Sequence, residues 1–356
     1  MDSSIWSNYI IKYVSDNSLF DFYSDFLSLF ENEWNKHISG YSFSNLCQIE
    51  KGNRLRPMLV YWGYLLNKNG DELFNSSENE LNFIMKPCLM IESIHKMSLL
   101  IDDWIDGDVA RHGISTFHTQ YDPYTTIILA INLLLKGYLD LGFYLDNSNH
   151  KTKNKSLILS IQTAYDMTNG ALKELSLDSA NMGVSKVKEI ISLETSSIIK
   201  NGLIIGYTLN TNTDDTIEEL LEEIGDCCGY IFQLLNDLEP FGNSTGLINH
   251  KGSLTTDVLK DRKNIVFAYI LSWANEKEQS TLICQTDPQK ILSYASELIK
   301  KYDIVKHVMT EISSLQDKIK NRISIIEKKT SHCDWCKHFE SFIDITISAS
   351  KKRALS

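Results

Sequence analysis

Residues 80–106 read ELNFIMKPCLMIESIHKMSLLIDDWID. Leu81, Ile84, Leu89, Ile91, Ile94, Leu99 and Ile105 recur through this stretch at helical spacing, and no glycine interrupts it. Pro87 marks either a kink or the point where the helix begins. Three carboxylates, Asp102, Asp103 and Asp106, close the run. On a helix Asp102 and Asp106 share a face, and like charges at that spacing repel. Their apolar neighbours turn that face toward an interior or a cleft, where uncompensated charge is costlier still. A hard divalent cation resolves the conflict, since Mg2+ takes one or two carboxylates together with phosphate oxygens. A solvated acidic helix end is the bland alternative, and an isolated D-D-x-x-D does not exclude it.

The rest of the chain supports a helical protein. Only five prolines occur in 356 residues, at Pro57, Pro87, Pro123, Pro240 and Pro288, so long stretches lack the strongest helix breaker. Helical spacing returns over 187–209, 216–238, 265–274 and 291–325, with no period-two alternation and no repeat. The fold class is therefore all-α. We read 1–330 as one domain and 331–356 as a helix end followed by a frayed tail. Polar loops are expected at 67–79 and 146–155. A longer one at 240–256 contains three glycines and reads as a lid or as a surface insertion.

Composition narrows the function classes. Hydrophobic residues make up 43% and charged residues 23%, which excludes a mostly disordered chain. A net charge of −11 without a basic block argues against sequence-independent nucleic-acid binding, though not against a local basic pocket. No secretory signal opens the chain, and the most apolar segment, 127–135, stops at Lys136, short of the ~20 residues that span a bilayer. Seven scattered cysteines suit reduced thiols in a cytoplasmic protein. His332, Cys333, Cys336 and His338 have the composition of a zinc site, but they crowd into seven residues, which favours a helix-end cluster of thiols.

Five segments give the aspartates a context. They are GNRLRP at 52–57, Glu92 and His95 on the long run, ARHG at 110–113, QLLNDLE at 233–239 and TDVLKDRK at 256–263. Two acidic helical segments, each followed by cationic residues, suit a phosphate held between metal ions and basic side chains. In this order the segments resemble the all-trans polyprenyl diphosphate synthase family of the class I isoprenoid and terpenoid synthases. GNRLRP is similar to the family's G-K-R-L-R-P, the 92–106 string to its first aspartate-rich helix, and QLLNDLE to its second.

The resemblance implies an isoprenoid synthase-type bundle of helices around a deep central apolar cavity, usually in a homodimer. It implies three Mg2+ ions and an allylic prenyl diphosphate of C10–C20. Asp102 and Asp106, with Asp103 between them, would hold two ions, and Asn236 and Asp237 the third. Arg111, Lys263 and Gln233 would contact the donor diphosphate. Asn53, Arg56, His95 and His112 occupy the positions that bind isopentenyl diphosphate. Met97 and Ser98 stand where chain length is set, and Trp104 would line the pocket or pack between helices. The metals would stabilise the departing pyrophosphate so that the allylic C–O bond ionises in a dry cavity.

The chain also departs from that pattern. Asn53 replaces a lysine and His112 an arginine, so the isopentenyl diphosphate site loses two permanent charges. Asn236 and Pro240 replace aspartates, Glu194 stands where a lysine is expected, and Ala171 replaces a glutamine. Three functions stay open: a prenyltransferase using isopentenyl diphosphate or another acceptor, a terpene synthase that has abandoned the second diphosphate, and a non-catalytic partner subunit. The three intact carboxylates speak against the last.

Overall fold

A computed structural model describes residues 20–43, 46–68, 77–111, 113–146, 153–177, 182–210, 213–241 and 264–355. The first helices are α1 (Phe20–Ile38), α2 (Leu55–Leu65), α3 (Glu78–Asp106), α4 (Pro123–Asp146) and α5 (Lys153–Ser176). Then follow α6 (Val184–Ile191), α7 (Ser197–Thr208) and α8 (Asp215–Leu238). The remainder are α9 (Ile265–Trp273), α10 (Glu276–Cys284), α11 (Pro288–Lys301), α12 (Ile304–Thr330) and α13 (Cys333–Leu355). Among the described residues, strand pairing is confined to a two-residue antiparallel ladder, β1 (Ala110–Arg111) with β2 (Ile114–Ser115). The expected all-α class is observed.

Helix α3 is the axis of the bundle, packing against α2 and α4 along its length. Ser77 starts it with a reciprocal cap: its Oγ accepts from Glu80 N at 3.3 Å, and Glu80 Oε2 accepts from Ser77 N at 3.0 Å. Pro87 lies inside the helix and is buried; it is not the start. Gly107 ends the helix at φ 69°, a left-handed conformation that glycine adopts without strain, and Asp108 N then donates to Asp103 O at 2.9 Å.

Helices α2 and α7 cross with their backbones in contact. A Cβ on Gly63 would run into Leu203 O, and a Cβ on Gly206 into Val60 O. Helix α7 packs in turn on α5 and α8, and α8 on α12 and α13. Through these contacts the close α2–α7 crossing fixes how the two acidic helices, α3 and α8, stand toward each other.

Three expectations are corrected. The periodic stretch 291–325 is two helices, broken at Tyr302–Asp303 where Asp303 takes a left-handed φ of 51°. Aspartate tolerates that conformation, so the apolar rhythm survives a break that neither Gly nor Pro announces. The C-terminus is not a frayed tail. Helix α13 buries Trp335, Phe339, Phe342, Ile347 and Ala354, and Trp335 Nε1 donates to Trp62 O at 3.0 Å. Finally, the apolar segment near 127–135 does not end at Lys136. Helix α4 runs on, with Lys136 Nζ 3.2 Å from Asp140 Oδ2, and Pro123–Phe143 is long and apolar enough by length and composition to cross a membrane. A third of that window is buried within the bundle, and its outer face carries Tyr124, Ile128, Leu135, Leu139 and Phe143 exposed.

Because the α2–α7 crossing leaves no room for a methyl group, Gly206→Ala should force the helices apart and destabilise the protein by about 3 kcal/mol or more. Thermal melting followed by circular dichroism checks this. Gly113→Ala, at an open turn where only φ is strained, should cost about 1 kcal/mol.

Candidate active site

His95, Ser98, Leu99, Asp102 and Asp106 form one stripe of α3 that is half-buried, while Ser93, Ile94, Lys96, Met97, Leu100 and Asp103 beside it are buried. A half-open stripe beside buried neighbours, on a helix packed against α2 and α4, suits the wall of a cleft. Asp102 and Asp106 stand on the last turn, where the helix dipole adds negative potential to that of the carboxylates.

Asp103 faces the other way. It is 1% exposed and accepts from Arg111 Nε at 2.8 Å and from Arg111 Nη2 at 2.5 Å. Its second oxygen accepts from Gln48 Nε2, and Gln48 Oε1 accepts from Phe117 N at 2.7 Å. The middle aspartate therefore orients Arg111 at the cleft's edge, whereas Asp102 and Asp106 share the cleft-facing stripe.

A basic cluster lies one to two turns back along α3. Burial pushes the Arg56 guanidinium down to about 10, with Glu92 opposing and Arg111 adding to the shift, and its Nε is buried without a hydrogen-bond partner. His95 is held well below the ordinary histidine value by burial and by the cations Arg56, Lys96, Arg111 and Arg54. At neutral pH it is an uncharged imidazole. Lys96, which the sequence reading passed over, is 3% exposed and donates to Gln48 O at 3.2 Å and to Lys51 O. Asn53 contributes no charge; its Oδ1 accepts from Leu55 N at 3.2 Å at the start of α2.

The second acidic segment is already engaged. Asp237 Oδ2 accepts from Ile265 N at 2.7 Å, the first residue of α9, and Oδ1 accepts from Gln233 Nε2 at 2.8 Å. Gln233 in turn accepts from Thr195 Oγ1 at 3.0 Å, so it supports Asp237. Asn236 is exposed and its Oδ1 accepts from Arg353 Nη2 of α13, whose Nε lies 3.0 Å from Glu239 Oε2. The reach of α13 to this segment was not foreseen.

Glu194 is the second residue whose environment the sequence could not give. It lies on a π-helical turn, Ser192–Ser196, between α6 and α7, and Gly170 of α5 makes the room: a Cβ there would fall 2.5 Å from Glu194 Cγ. Burial, then the negative charges of Glu174, Asp102, Asp106 and Asp237, push its carboxyl up to about 9. Five carboxylates from α3, α5, the π turn and α8 thus share one strongly negative space. Among the described residues no three of His, Cys, Asp or Glu are close enough to hold a metal ion by themselves. Hard oxygen donors lining a negative cleft without closing on one point fit a divalent cation whose remaining ligands come from a phosphate.

Met97 is buried, and Ser98 donates to His95 O at 2.9 Å. Trp104 is 37% exposed. One step along α3 from the buried Asp103, it is turned away from that face. His112, Lys263 and the rest of 242–263, where a long loop was expected, lie outside the described residues. Cys336 donates to Ile323 O at 3.7 Å inside the first turns of α13. His37, Asp140 and Ser93 have the composition of a hydrolytic triad, with His37 2.9 Å from Asp140 and 3.1 Å from Ser93. Ser93 is fully buried and donates to Leu89 O at 2.8 Å, so it offers no accessible nucleophile.

A helical bundle whose central helix bears a basic cluster and then an acidic end defines a class of protein that handles phosphorylated substrates. The polyprenyl synthetase family model matches residues 38–300, and the chain belongs to that family. It is 25% identical over 303 residues to the geranylgeranyl diphosphate synthase of Saccharolobus solfataricus, covering 79% of this chain and 86% of that one. The fold is shared with geranylgeranyl pyrophosphate synthase from Lactobacillus brevis, at TM-score 0.76, 14% identity and coverage of 98% and 100%. It is also shared with polyprenyl synthase from Caulobacter crescentus, crystallised with calcium and isoprenyl diphosphate, at TM-score 0.74, 16% identity and 99% of both chains.

Glu194 gives a pH signature. An unfolded carboxyl ionises near pH 4.5, whereas the folded one keeps its proton to about 9, so the unfolded state binds fewer protons between those values. Stability contributed by the protonated form is complete below pH 4.5 and falls as pH rises toward 9. Glu194→Gln should therefore stabilise the metal-free protein by about 2–3 kcal/mol at pH 7 and change nothing at pH 4. Urea melts at the two pH values, in chelator, test it.

Proposed function

We propose that this protein is a Mg2+-dependent prenyltransferase. It ionises an allylic prenyl diphosphate of C10–C20 and joins the prenyl group to isopentenyl diphosphate. The observation that carries this reading is the opposite charge gathered at the two ends of one stripe, the Arg56 guanidinium at the His95 end and two carboxylates at the other. His95, with Arg56 beside it, lies seven residues before Asp102, or ~10 Å along the helix. A cleft with an anion receptor at one end and a cation receptor at the other suits two diphosphates, one bound by basic side chains and one through metal ions.

Asp102 and Asp106 would hold two ions and Asp237 would face the third, with Asn236 released from Arg353. Bound there, Mg2+ would neutralise the charge that develops on the leaving pyrophosphate. The chain's own groups do the rest. Arg111, oriented by Asp103, offers guanidinium N–H groups to a phosphate at the cleft's edge. The guanidinium of Arg56, with its free Nε, is poised to grip the acceptor diphosphate. Neutral His95 can donate one hydrogen bond without adding charge. Ser98 and Leu99 line the path between, where an apolar chain displaces water that would quench a carbocation.

We also propose a homodimer working in the cytoplasm. The exposed apolar faces of α4 and α5, with Ile128, Leu135 and Phe143 on one helix and Ile158, Ile161 and Leu172 on the other, support a protein partner there.

With Mg2+ and geranyl, farnesyl or geranylgeranyl diphosphate, the protein should form a longer diphosphate only when isopentenyl diphosphate is supplied. Product identification by mass spectrometry decides the matter: a hydrocarbon or alcohol formed without isopentenyl diphosphate would mean a terpene synthase. Asp102→Ala and Asp106→Ala should each lower kcat by about a thousandfold, the scale of losing a group that stabilises developing charge. Near-normal turnover in both would remove them from metal binding.

A further inference from the structure

In the basic cluster around α3, the carboxylates are not shared evenly among the cations. Arg54 is fully buried and bonded by Glu31 at 2.7 Å and by Glu92 at 2.7 Å. Arg111 is balanced by Asp103. Arg56 and Lys96 remain. Lys96 Nζ is 4.0 Å from Glu92 Oε1, a carboxylate that Arg54 already holds. Neither Arg56 nor Lys96 thus has a carboxylate of its own, in a place where a poorly balanced ammonium is expensive.

The position of Lys96 indicates a task. Its ammonium lies behind Gly52, where a Cβ would come within 3.2 Å of both Lys96 Nζ and Arg54 Nη1. It bonds two carbonyls of the turn that leads into α2, Gln48 O and Lys51 O. That turn carries Asn53 and sets the position of Arg56. Lys96 sits next to His95, on the side of α3 turned away from the cleft.

We propose that Lys96 is a positioning residue for the acceptor diphosphate: it pins the 48–51 turn so that Arg56 is presented correctly, and its ammonium adds to the positive potential that meets the anion. This rests on the prenyl-transfer reading above. The ammonium is easily discharged, because burial, and then the neighbouring cations Arg54, Arg111 and Arg56, push it down to about 8 against the pull of Glu92. The groups facing it are Glu92 and His95 from α3, Arg54 and Arg56 from the start of α2, Arg111 from β1, and the two carbonyls. His95 is neutral at pH 7 and Arg56 keeps its proton to about 10, so Lys96 is the cluster's titrating group between pH 7 and 9.

The test is calorimetric titration of the full chain with isopentenyl diphosphate in chelator, at pH 7 and pH 9, for wild type, Lys96→Met and Lys96→Arg. At pH 7, Lys96→Met should bind about tenfold more weakly, and Lys96→Arg should match wild type. At pH 9 the wild type should approach Lys96→Met, whereas Lys96→Arg, which cannot discharge, should keep its lead. In turnover assays Lys96→Met should raise KM for isopentenyl diphosphate far more than it lowers kcat. Equal affinity of Lys96→Met and wild type at pH 7 would overturn the proposal. If Lys96→Met does not fold, the divergence of wild type and Lys96→Arg between pH 7 and 9 decides alone, and parallel curves overturn it. Absence of isopentenyl diphosphate binding by the wild type would instead overturn the use of this acceptor, and with it the role of Lys96.

Discussion

Two carboxylates at the C-terminal end of a buried helix are a place where backbone and side chains push the potential the same way. Asp102 and Asp106 on the last turn of α3 add to the negative pole of the helix dipole, and no isolated helix would favour them there. The fold confines the problem. Asp103, between them, is taken out of the cleft and balanced by Arg111. Glu194, facing them, carries a proton at neutral pH and adds no charge of its own. What remains is the pair on the cleft stripe, at a spacing where like charges repel.

Holding that arrangement requires a rigid frame, and a chain of buried polar contacts supplies it. Glu31 of α1 and Glu92 of α3 both bond Arg54, which also donates to Glu50 O and lies under the rings of Phe30 and Trp34. Arg54 takes a left-handed φ of 52°, a conformation costing about 1 kcal/mol for a residue with a Cβ. Its three bonded neighbours overdetermine it. From Glu92 the contacts pass to Lys96, through its bond to the Gln48 carbonyl to the Gln48 side chain, and so to Asp103 and Arg111. The turn that presents Arg56 and the ladder that presents Arg111 are thus both fastened to α3. The two ends of the stripe are thereby coupled through one network.

Much of this was legible in the sequence, because the decisive features are local. The period of apolar residues from 80 to 106 gives α3, and the spacing of Asp102 and Asp106 gives a shared face whatever the surroundings. The order of the motifs gives the family. Other features depend on partners distant in the chain, and periodicity cannot see them. The break at Asp303 changes backbone hand without a Gly or Pro. Helix α13 buries aromatic residues against Trp62, some 270 residues earlier by roughly the full length of the fold, and nothing near Trp335 announces that contact. Lys96 reads as one polar residue on an apolar helix, which by itself suggests a solvated position.

The departures from the family pattern are coherent when treated as a redistribution of charge. At the basic end Asn53 brings no cation and instead caps the turn into α2, while Lys96 brings one from the neighbouring helix. At the acidic end a glutamate occupies the position of an expected lysine, which would have been a severe penalty had it stayed ionised. Gly170 leaves the space for its side chain to lie against α5, and burial, together with the surrounding carboxylates, keeps it protonated. A neutral carboxylic acid can donate a hydrogen bond where a lysine would have offered a charge, so a phosphate oxygen could still be met at that wall. The cleft would then rely more heavily on metal ions for holding the donor diphosphate, because one fixed cation has gone from its rim. A protein altered in this way keeps the polarity of the stripe on α3 while moving the charges that sustain it, and it is the polarity that the transfer of a prenyl group between two diphosphates requires.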